Sequence, residues 1–261
     1  MTRTYVVTGS ASGIGEATYK LLKDRGASVF GVDIHHADIN ADLSTRDGRK
    51  FAVTTAIDLS HGEIDAVIAC AGLATPTSKT VSVNYFGVTE FLKGLLPTLA
   101  LSGSPRVAIT SSMASLMPNS PALVDAMLAG KEELALAIAE GLCTEGEARA
   151  SLIYGSTKRA LSRWVRRESI KPEWAAAGIP LNAVGPGIVE TPMVADMIAT
   201  TEARSAIDAL VPMPLNHYLK AIQVAYLLAW LTSEENTHTT GQTIYIDGGS
   251  DVAIRGDDIW S

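Results

Sequence analysis

The chain has 261 residues, of which 47% are hydrophobic and 19% charged, and its formal net charge is −7. This composition excludes a disordered chain, and the acidic balance argues against a broad basic surface for nucleic acid. Two cysteines, Cys70 and Cys143, are too few for a disulfide scaffold, so we expect a reducing compartment. No apolar run has membrane-spanning length, and the first residues resemble a strand rather than a signal peptide. We therefore expect a cytoplasmic globular protein without nucleic-acid or membrane partners.

Short apolar runs alternate with helix-like segments along the whole chain. The predicted strands are Tyr5–Thr8, Ser28–Asp33, Asp65–Cys70, Arg106–Ser111, Pro180–Val184 and Thr243–Ile246. The predicted helices are Glu16–Arg25, Tyr85–Leu96, Gly155–Ser169 and Ala221–Thr232. Short apolar strands that alternate with helices are typical of a parallel sheet covered on both faces. The sequence thus predicts one α/β domain with a doubly wound parallel sheet of the Rossmann type.

A glycine-rich turn separates the first predicted strand from the first predicted helix. Residues Thr8–Gly15 read TGSASGIG, so the glycine spacing differs from the common Gly-x-Gly-x-x-Gly fingerprint. Glycines there let the backbone approach a pyrophosphate, and the free N–H groups of the next helix attract negative charge. A plain tight turn is the alternative, but the position between strand and helix favours a nucleotide.

Asp33 ends the second predicted strand, where a carboxylate can accept hydrogen bonds from the adenosine ribose hydroxyls. The same charge would repel a 2′-phosphate, and no Arg or Lys lies near it in the sequence to reverse that preference. Asp33 therefore predicts NAD(H) rather than NADP(H). The alternative is a solvated carboxylate at a strand end.

Tyr154 and Lys158 lie one helical turn apart at the start of a predicted helix, so both side chains share a face. A cation near a phenol favours the phenolate, so we expect Lys158 to lower the pKa of Tyr154. Such a pair also occurs by chance on many helices, and by itself it does not establish a catalytic site.

Six elements taken together resemble the short-chain dehydrogenase/reductase family, in the order typical of that family and over essentially the whole chain. They are Thr8–Gly15, Asn84, Ser111-Ser112, Tyr154 with Lys158, Pro186-Gly187 and Ile246–Gly249. The resemblance implies that Tyr154 is the general acid/base, that Ser112 holds the substrate oxygen and that Lys158 binds the nicotinamide ribose. It also implies that Asn84 anchors a water in a proton relay. A helix N-cap is the alternative role for Asn84.

The resemblance further implies a set of cofactor contacts. Asp42-Leu43 matches an Asp-Val/Leu pair that contacts the adenine in the family. Asp58-Leu59 is an alternative match, but it lies too close to Cys70 in the sequence for a helix to fit between them. Cys70 stands where the family usually has Asn, and we interpret it as a buried thiol rather than a reactive one. The implied NAD contacts are Gly9, Ser12, Gly13, Ile14, Gly15, Asp33, Ile34, Asp42, Leu43, Cys70, Ala71, Gly72, Tyr154, Lys158, Gly187, Ile188 and Thr191.

Two differences from the usual family pattern restrict the resemblance to one subgroup of the family. The stretch from Asp33 to Asp42 is too short for the usual helix, and residues 113–153 form a longer segment than usual between Ser112 and Tyr154. We predict two short helices in this insertion, from Ser120 to Gly130 and from Lys131 to Gly141. These features resemble the bacterial 3α-hydroxysteroid dehydrogenase/carbonyl reductase subgroup, which implies an apolar cyclic secondary alcohol or its ketone as substrate.

Residues 192–215 correspond to the substrate loop of the family and are rich in methionine and aliphatic residues. They are interpreted either as an apolar lid over the substrate or as packing against the core. The predicted substrate contacts are Ser112, Met113, Tyr154, Met193 and Met197. The insertion 113–153 either shapes the same mouth or serves assembly, and a homodimer or homotetramer is expected.

Two other functions remain open at this point. Arg159, Arg163, Arg166 and Arg167 lie on one predicted helix and suggest a reductase for carrier-bound β-ketoacyl substrates, although a solvated helix face explains them too. A dinucleotide-sensing protein without catalysis is the other alternative, and an intact set of Ser, Tyr, Lys and Asn opposes it. The five histidines lack ligand spacing, so no metal is expected.

Overall fold

The computed structural model describes residues 2–215 and 217–259. Seven parallel strands form the central sheet in the order β3-β2-β1-β4-β5-β6-β9. They are β1 Thr4–Thr8, β2 Ser28–Asp33, β3 Ile39–Asn40, β4 Ala66–Ala69, β5 Arg106–Thr110, β6 Leu181–Pro186 and β9 Thr243–Ile246. A separate parallel pair consists of β7 Val189–Glu190 and β8 Leu219–Lys220. This arrangement confirms the predicted doubly wound α/β fold.

Helices connect the strands and cover the sheet. The α-helices are α1 Gly13–Asp24, α2 Arg46–Leu59, α3 Ser78–Val81, α4 Val88–Leu99, α5 Pro121–Leu128, α6 Glu132–Thr144, α7 Glu147–Ala150, α8 Leu152–Glu168, α9 Pro172–Ala175, α10 Thr201–Leu210, α11 Ala221–Leu231 and α12 Ser250–Arg255. Residues Ser82–Gly87 form a π-helix, and Met113–Leu116, Pro192–Val194 and Asp196–Ile198 form 3₁₀ turns. Across residues 2–215 and 217–259, none of these helices combines the length and apolar character of a membrane span.

The sheet is apolar on both faces, which explains its continuous hydrophobic strands. In β1, Val6 and Val7 are both fully buried because alternate side chains enter two different cores. Val6 belongs to the core beneath α2, α4 and α8, and Val7 to the core beneath α1 and α11. Because all strands run parallel, their carboxyl ends meet at one edge, where ligands bind in such folds.

The helix α2 was not predicted from the sequence. Its apolar pattern is weak, because Arg49 occupies a buried position of its inner face. Its N-terminus is nevertheless well defined, because the Thr45 hydroxyl accepts a hydrogen bond from the Gly48 N–H at 3.0 Å. Between Asp33 and Asp42 the chain forms only the short β3, so the predicted loss of a helix there is confirmed.

The insertion 113–153 contains three α-helices, α5, α6 and α7, rather than the two predicted ones. Helix α6 continues through Gly141 to Thr144, so the expected glycine stop was wrong. The insertion packs against α8, against α3 and against the π-helix. Its buried residues join the core beneath α4 and α8, so it is part of the main body of the fold.

Candidate active site

A cavity of about 550 Å³ opens at the carboxyl ends of β1, β2, β4, β5 and β6. It brings together residues that are far apart in the chain, as the fold requires. The predicted site residues that line it are Gly9, Ser12, Gly13, Ile14, Gly15, Asp33, Ile34, Asp42, Leu43, Cys70, Ala71, Gly72, Ser112, Tyr154, Lys158, Gly187, Thr191 and Met193.

The glycine-rich turn forms one wall of this cavity. Gly9 has a φ of 69°, and a Cβ atom on it would lie 2.8 Å from the Ala71 N atom. A Cβ atom on Gly15 would lie 2.1 Å from the Gly9 carbonyl oxygen. Both positions therefore exclude any side chain, and the tight turn directs the amino end of α1 toward the cavity.

The carboxylate of Asp33 lies at the far end of the same wall. Its Oδ2 accepts a hydrogen bond from the Ala11 N–H at 3.0 Å, and its Oδ1 accepts one from the Ile34 N–H at 2.7 Å. These bonds hold the carboxylate beside the glycine-rich turn, at the edge of the cavity. This is where an adenosine ribose would be expected.

Asp42 also lines the cavity, close to Asp33, and its carboxylate contacts two neighbours. Its Oδ1 accepts a hydrogen bond from the Ser44 N–H at 2.9 Å, and its Oδ2 lies 3.6 Å from the Lys79 Nζ. Hydrogen bonding to Ser44, with a smaller effect of the Lys79 charge, lowers the pKa of Asp42. Asp42 is therefore ionised at neutral pH.

Ser112, Tyr154 and Lys158 converge in the inner part of the cavity. Ser112 follows β5, while Tyr154 and Lys158 lie in the first turns of α8, as their spacing predicted. The Lys158 ammonium lies 5.6 Å from the centre of the Tyr154 ring and donates a hydrogen bond to the Thr110 carbonyl at 2.9 Å. A hydroxyl, a phenol and an ammonium group thus share one small volume.

The two neighbouring serines have different environments. The Ser111 hydroxyl donates to the Lys158 carbonyl at 3.1 Å and lies 2.9 Å from the Ser162 hydroxyl, so it is occupied by α8. The Ser112 hydroxyl accepts a hydrogen bond from the Ala114 N–H, and Ser112 lines the cavity together with Tyr154. This geometry favours Ser112 as the serine that faces a reacting oxygen.

The pKa values of Tyr154 and Lys158 differ from those expected for a phenol and an ammonium group that interact only with each other. Burial raises the pKa of Tyr154, and the hydrogen bond with Ser112 only partly opposes this effect. Burial also lowers the pKa of Lys158 to about 8. The expectation that Lys158 brings the pKa of Tyr154 below its usual value was therefore wrong, because burial disfavours the charged phenolate.

Asn84 lies within the π-helix and not at a helix N-cap, so that alternative was wrong. Its amide holds the backbone of Leu73 on both sides, because Oδ1 accepts from the Leu73 N–H at 2.7 Å and Nδ2 donates to the Leu73 carbonyl at 2.9 Å. A Cβ atom on Gly72 would lie 3.4 Å from the Asn84 Oδ1 and 3.7 Å from the Lys158 Nζ. Asn84, which is fully buried, thus approaches Lys158 beside Gly72, at the wall of the cavity.

Three further predicted site residues do not line the cavity. Met113 and Ile188 are buried in an apolar cluster beneath the loop 192–215, together with Val211. Met197 is 48% exposed on the outer side of that loop. Ile188 was expected to contribute its backbone, which remains a prediction, while the side chain of Met113 serves packing.

Several residues that line the cavity were not predicted from the sequence. Leu73, Thr75, Lys79 and Val83 belong to the segment between β4 and the π-helix, and only the fold brings them to the cavity. Lys79 was the least predictable of them, because it is remote from both Asp33 and Asp42 in the chain. It adds a positive charge beside Asp42, at the predicted adenine position.

Cys70 lines the cavity where the family usually has Asn. Its Sγ accepts a hydrogen bond from the Thr110 hydroxyl at 3.2 Å, and burial raises the pKa of the thiol to about 11. A thiol with this pKa is protonated at neutral pH and is a poor nucleophile. The interpretation of Cys70 as an inert buried thiol fits this environment.

We expect the buried ammonium of Lys158 to cost stability at neutral pH. Its pKa is about 8 in the folded chain but 10.5 in its ordinary state, so the unfolded chain binds more protons between these values. The wild type should therefore gain about 2 kcal/mol over Lys158→Met as the pH rises from about 8 to about 10. Urea unfolding of both proteins at several pH values measures this, and parallel stability curves would contradict it.

Comparison with known proteins gives one consistent family. A family model described as enoyl-(acyl carrier protein) reductase matches residues 9–251. The chain is 36% identical to the 3-alpha-hydroxysteroid dehydrogenase/carbonyl reductase of Comamonas testosteroni, over 96% of this chain and 97% of that relative. It is 29% identical to the cis-4-hydroxycyclohexanecarboxylate dehydrogenase of Sinomonas cyclohexanicum, over 95% and 96% of the two chains.

A solved structure agrees with this relationship. The 3-alpha-hydroxysteroid dehydrogenase from Pseudomonas sp. B-0831, complexed with NADH, superposes with a TM-score of 0.89 at 35% identity, over 98% of this chain and 100% of that one. A family match over most of the chain and a relative above 30% identity over its whole length agree with the geometry of the cavity. The chain therefore belongs to the short-chain dehydrogenase/reductase family of oxidoreductases.

Proposed function

We propose that the protein is an NAD(H)-dependent oxidoreductase that interconverts an apolar, cyclic secondary alcohol and its ketone. The observation that carries this proposal is the convergence of Ser112, Tyr154 and Lys158 inside a cavity long enough to reach Asp33. A sensor protein would need the dinucleotide wall but not a phenol, a hydroxyl and an ammonium group at its inner end. These three groups therefore favour catalysis over sensing.

The cofactor is NAD(H), and the residues present fit it. The turn with Gly9 and Gly15 is tight, because a Cβ atom at either position would meet backbone atoms, and it directs the amino end of α1, where a pyrophosphate would bind, toward the cavity. Asp33 offers acceptors for ribose hydroxyls and would repel a 2′-phosphate. The Pseudomonas relative is complexed with NADH, which agrees with this assignment. When bound, the nicotinamide accepts or donates the hydride of the reaction.

The chain's own residues handle the proton. In alcohol oxidation, Ser112 would hold the substrate oxygen by a hydrogen bond while the Tyr154 phenolate removes the hydroxyl proton. Lys158 would stabilise that phenolate electrostatically, and its bond to the Thr110 carbonyl keeps its ammonium in position. Asn84 would support a proton path outward beside Gly72. In ketone reduction, Tyr154 returns the proton to the oxygen.

The substrate class follows from the mouth of the cavity and from the relatives. Met193 and Val194 from the loop 192–215 line the mouth with apolar surface. Two relatives are named for alcohols on rings, a hydroxysteroid and a hydroxycyclohexanecarboxylate. We infer that a bulky ring lies against the loop while its hydroxyl group reaches Ser112 and Tyr154.

A substrate panel tests this proposal. Reduction of NAD⁺ is followed by absorbance with steroid, terpene, aryl and aliphatic secondary alcohols, and NADP⁺ is run in parallel. Turnover of a bulky ring alcohol with NAD⁺ supports the proposal. NADH binding without turnover of any alcohol or ketone would favour the sensor, and turnover confined to carrier-bound β-ketoacyl substrates would favour the carrier-dependent reductase.

One comparison distinguishes the two substrate contacts predicted in the loop 192–215, Met193 and Met197. Met193→Ala should raise the KM for the ring alcohol several-fold, about 1 kcal/mol of lost apolar contact, because Met193 lines the cavity. Met197→Ala is the matched control, since Met197 is about equally exposed but lies outside the lining. Both variants should leave the KM for NAD⁺ within twofold. Equal effects of the two substitutions on the KM for the alcohol would contradict the assignment.

We also propose that the protein is cytoplasmic. We propose further that it assembles as a homodimer, because α5, α6 and α7 pack on α8, the helix that the family resemblance implies as a usual subunit contact. Sedimentation velocity measures the mass of the assembly. A compact tetramer would overturn this part of the proposal.

A further inference from the structure

Arg49 is a buried cation that the proposed reaction does not use. Its side chain is only 2% exposed, although it lies in the first turn of α2 outside the cavity. It forms ion pairs with Glu132 at 2.6 Å and with Glu90 at 2.8 Å. Glu132 is itself 9% exposed and begins α6 of the insertion.

The same guanidinium also holds three backbone carbonyls. Its Nε donates to the Leu43 carbonyl at 2.8 Å, and its Nη2 donates to the Ser44 carbonyl at 3.1 Å and to the Ser82 carbonyl at 3.4 Å. Leu43 lines the cavity at the predicted adenine position, and Ser82 begins the π-helix that carries Asn84. One side chain therefore joins the adenine rim, the π-helix and the insertion.

These contacts leave little freedom to the segments they join. A guanidinium has a planar, rigid set of donors, so it fixes the relative positions of its acceptors. A Cβ atom on Gly87 would lie 3.1 Å from the Leu43 carbonyl oxygen and 3.2 Å from the Ser82 carbonyl oxygen, which shows how closely these segments pack. Loss of the guanidinium would leave three carbonyls with fewer donors and would remove the Glu90 ion pair. Glu132 would keep only Arg46, whose exposed Nε lies 3.2 Å from its carboxylate.

We infer that Arg49 is a positioning residue for the dinucleotide, and that the insertion contributes Glu132 to hold it in place. This inference rests on the proposed function, because it assigns the network to the NAD(H) site. It gives residues 113–153 a role in cofactor affinity, because Glu132 holds Arg49 and Arg49 holds the backbone of Leu43 in the cavity wall. If the inference is correct, loss of Arg49 weakens dinucleotide binding even where the melting temperature of the protein is restored.

NADH titration, followed by the fluorescence of bound NADH, tests the inference without any substrate. Arg49→Met should raise the Kd for NADH about tenfold, because the adenine rim loses its donors. The double variant Arg49→Met/Glu132→Leu also removes the buried carboxylate that has lost its main partner, so its melting temperature should return toward the wild type. Its Kd should stay raised, because methionine cannot donate to the carbonyls of Leu43 and Ser44.

Leu142→Ala is the matched control for stability. Leu142 is buried in α6 of the same insertion, so this change destabilises α6 without altering the ion pairs. It should lower the melting temperature and leave the Kd for NADH within twofold. A normal Kd in Arg49→Met, or a double variant that recovers stability and affinity together, would overturn the positioning role. Failure of the wild type to bind NADH would instead overturn the proposed function.

Discussion

Replacement of Tyr154 by Phe should lower turnover by about 10³-fold and leave NADH binding within twofold of the wild type. The phenol oxygen is the group that exchanges a proton with the substrate oxygen in the proposed reaction, and phenylalanine keeps the ring but lacks that oxygen. The effect on binding is small because the ring still fills the same space between Ser112 and Lys158.

Tyr245→Phe is the control for this prediction. Tyr245 is also a half-buried tyrosine with a raised pKa, and its hydroxyl lies 2.9 Å from the Ser115 hydroxyl, outside the cavity lining. Its loss should change turnover less than about threefold, since no reacting group contacts it. Comparable losses in both variants, or residual turnover above one tenth in Tyr154→Phe, would contradict the role of Tyr154.

Replacement of Asp33 by Asn should change the ratio of catalytic efficiencies with NAD⁺ and NADP⁺ by about 100-fold in favour of NADP⁺. Two causes act together. The amide is a weaker acceptor for the ribose hydroxyls, so NAD⁺ loses binding energy, and removal of the carboxylate charge removes the repulsion of a 2′-phosphate. Initial rates with both cofactors, measured with the same alcohol, give the ratio.

Asp42→Asn is the matched control, because it removes the same charge from the same cavity. The Asp42 carboxylate already faces the Lys79 ammonium, so its loss should change the cofactor ratio less than about threefold. A wild-type enzyme that prefers NADP⁺ would show that Asp33 does not face the ribose. Equal shifts in the two variants would show that net charge, and not the position of Asp33, sets the preference.

The parts of the protein that the sequence alone determined are those in which the deciding interactions are local. Six of the seven strands of the central sheet were predicted, because buried parallel strands need continuous apolar residues, whereas the two-residue strands β3, β7 and β8 were not. The turn with Gly9 and Gly15 was predictable because only glycine fits where the chain approaches itself this closely. Tyr154 and Lys158 could be placed on one face because four residues make about one helical turn.

Other features were decided only by the tertiary structure, because they depend on segments that the chain brings together from a distance. Lys79 reaches Asp42 only through packing of α3, and Arg49 becomes a buried cation only because Glu132 arrives from the insertion. Met113 turned inward, because the loop 192–215 covers it with apolar side chains.

The raised pKa of Tyr154 is another feature that only the tertiary structure decided. The spacing to Lys158 predicts attraction between a phenolate and an ammonium group, but burial of the whole pair reverses the outcome. Burial is a property of the completed fold, since it depends on every segment that covers the site, and no local pattern encodes it.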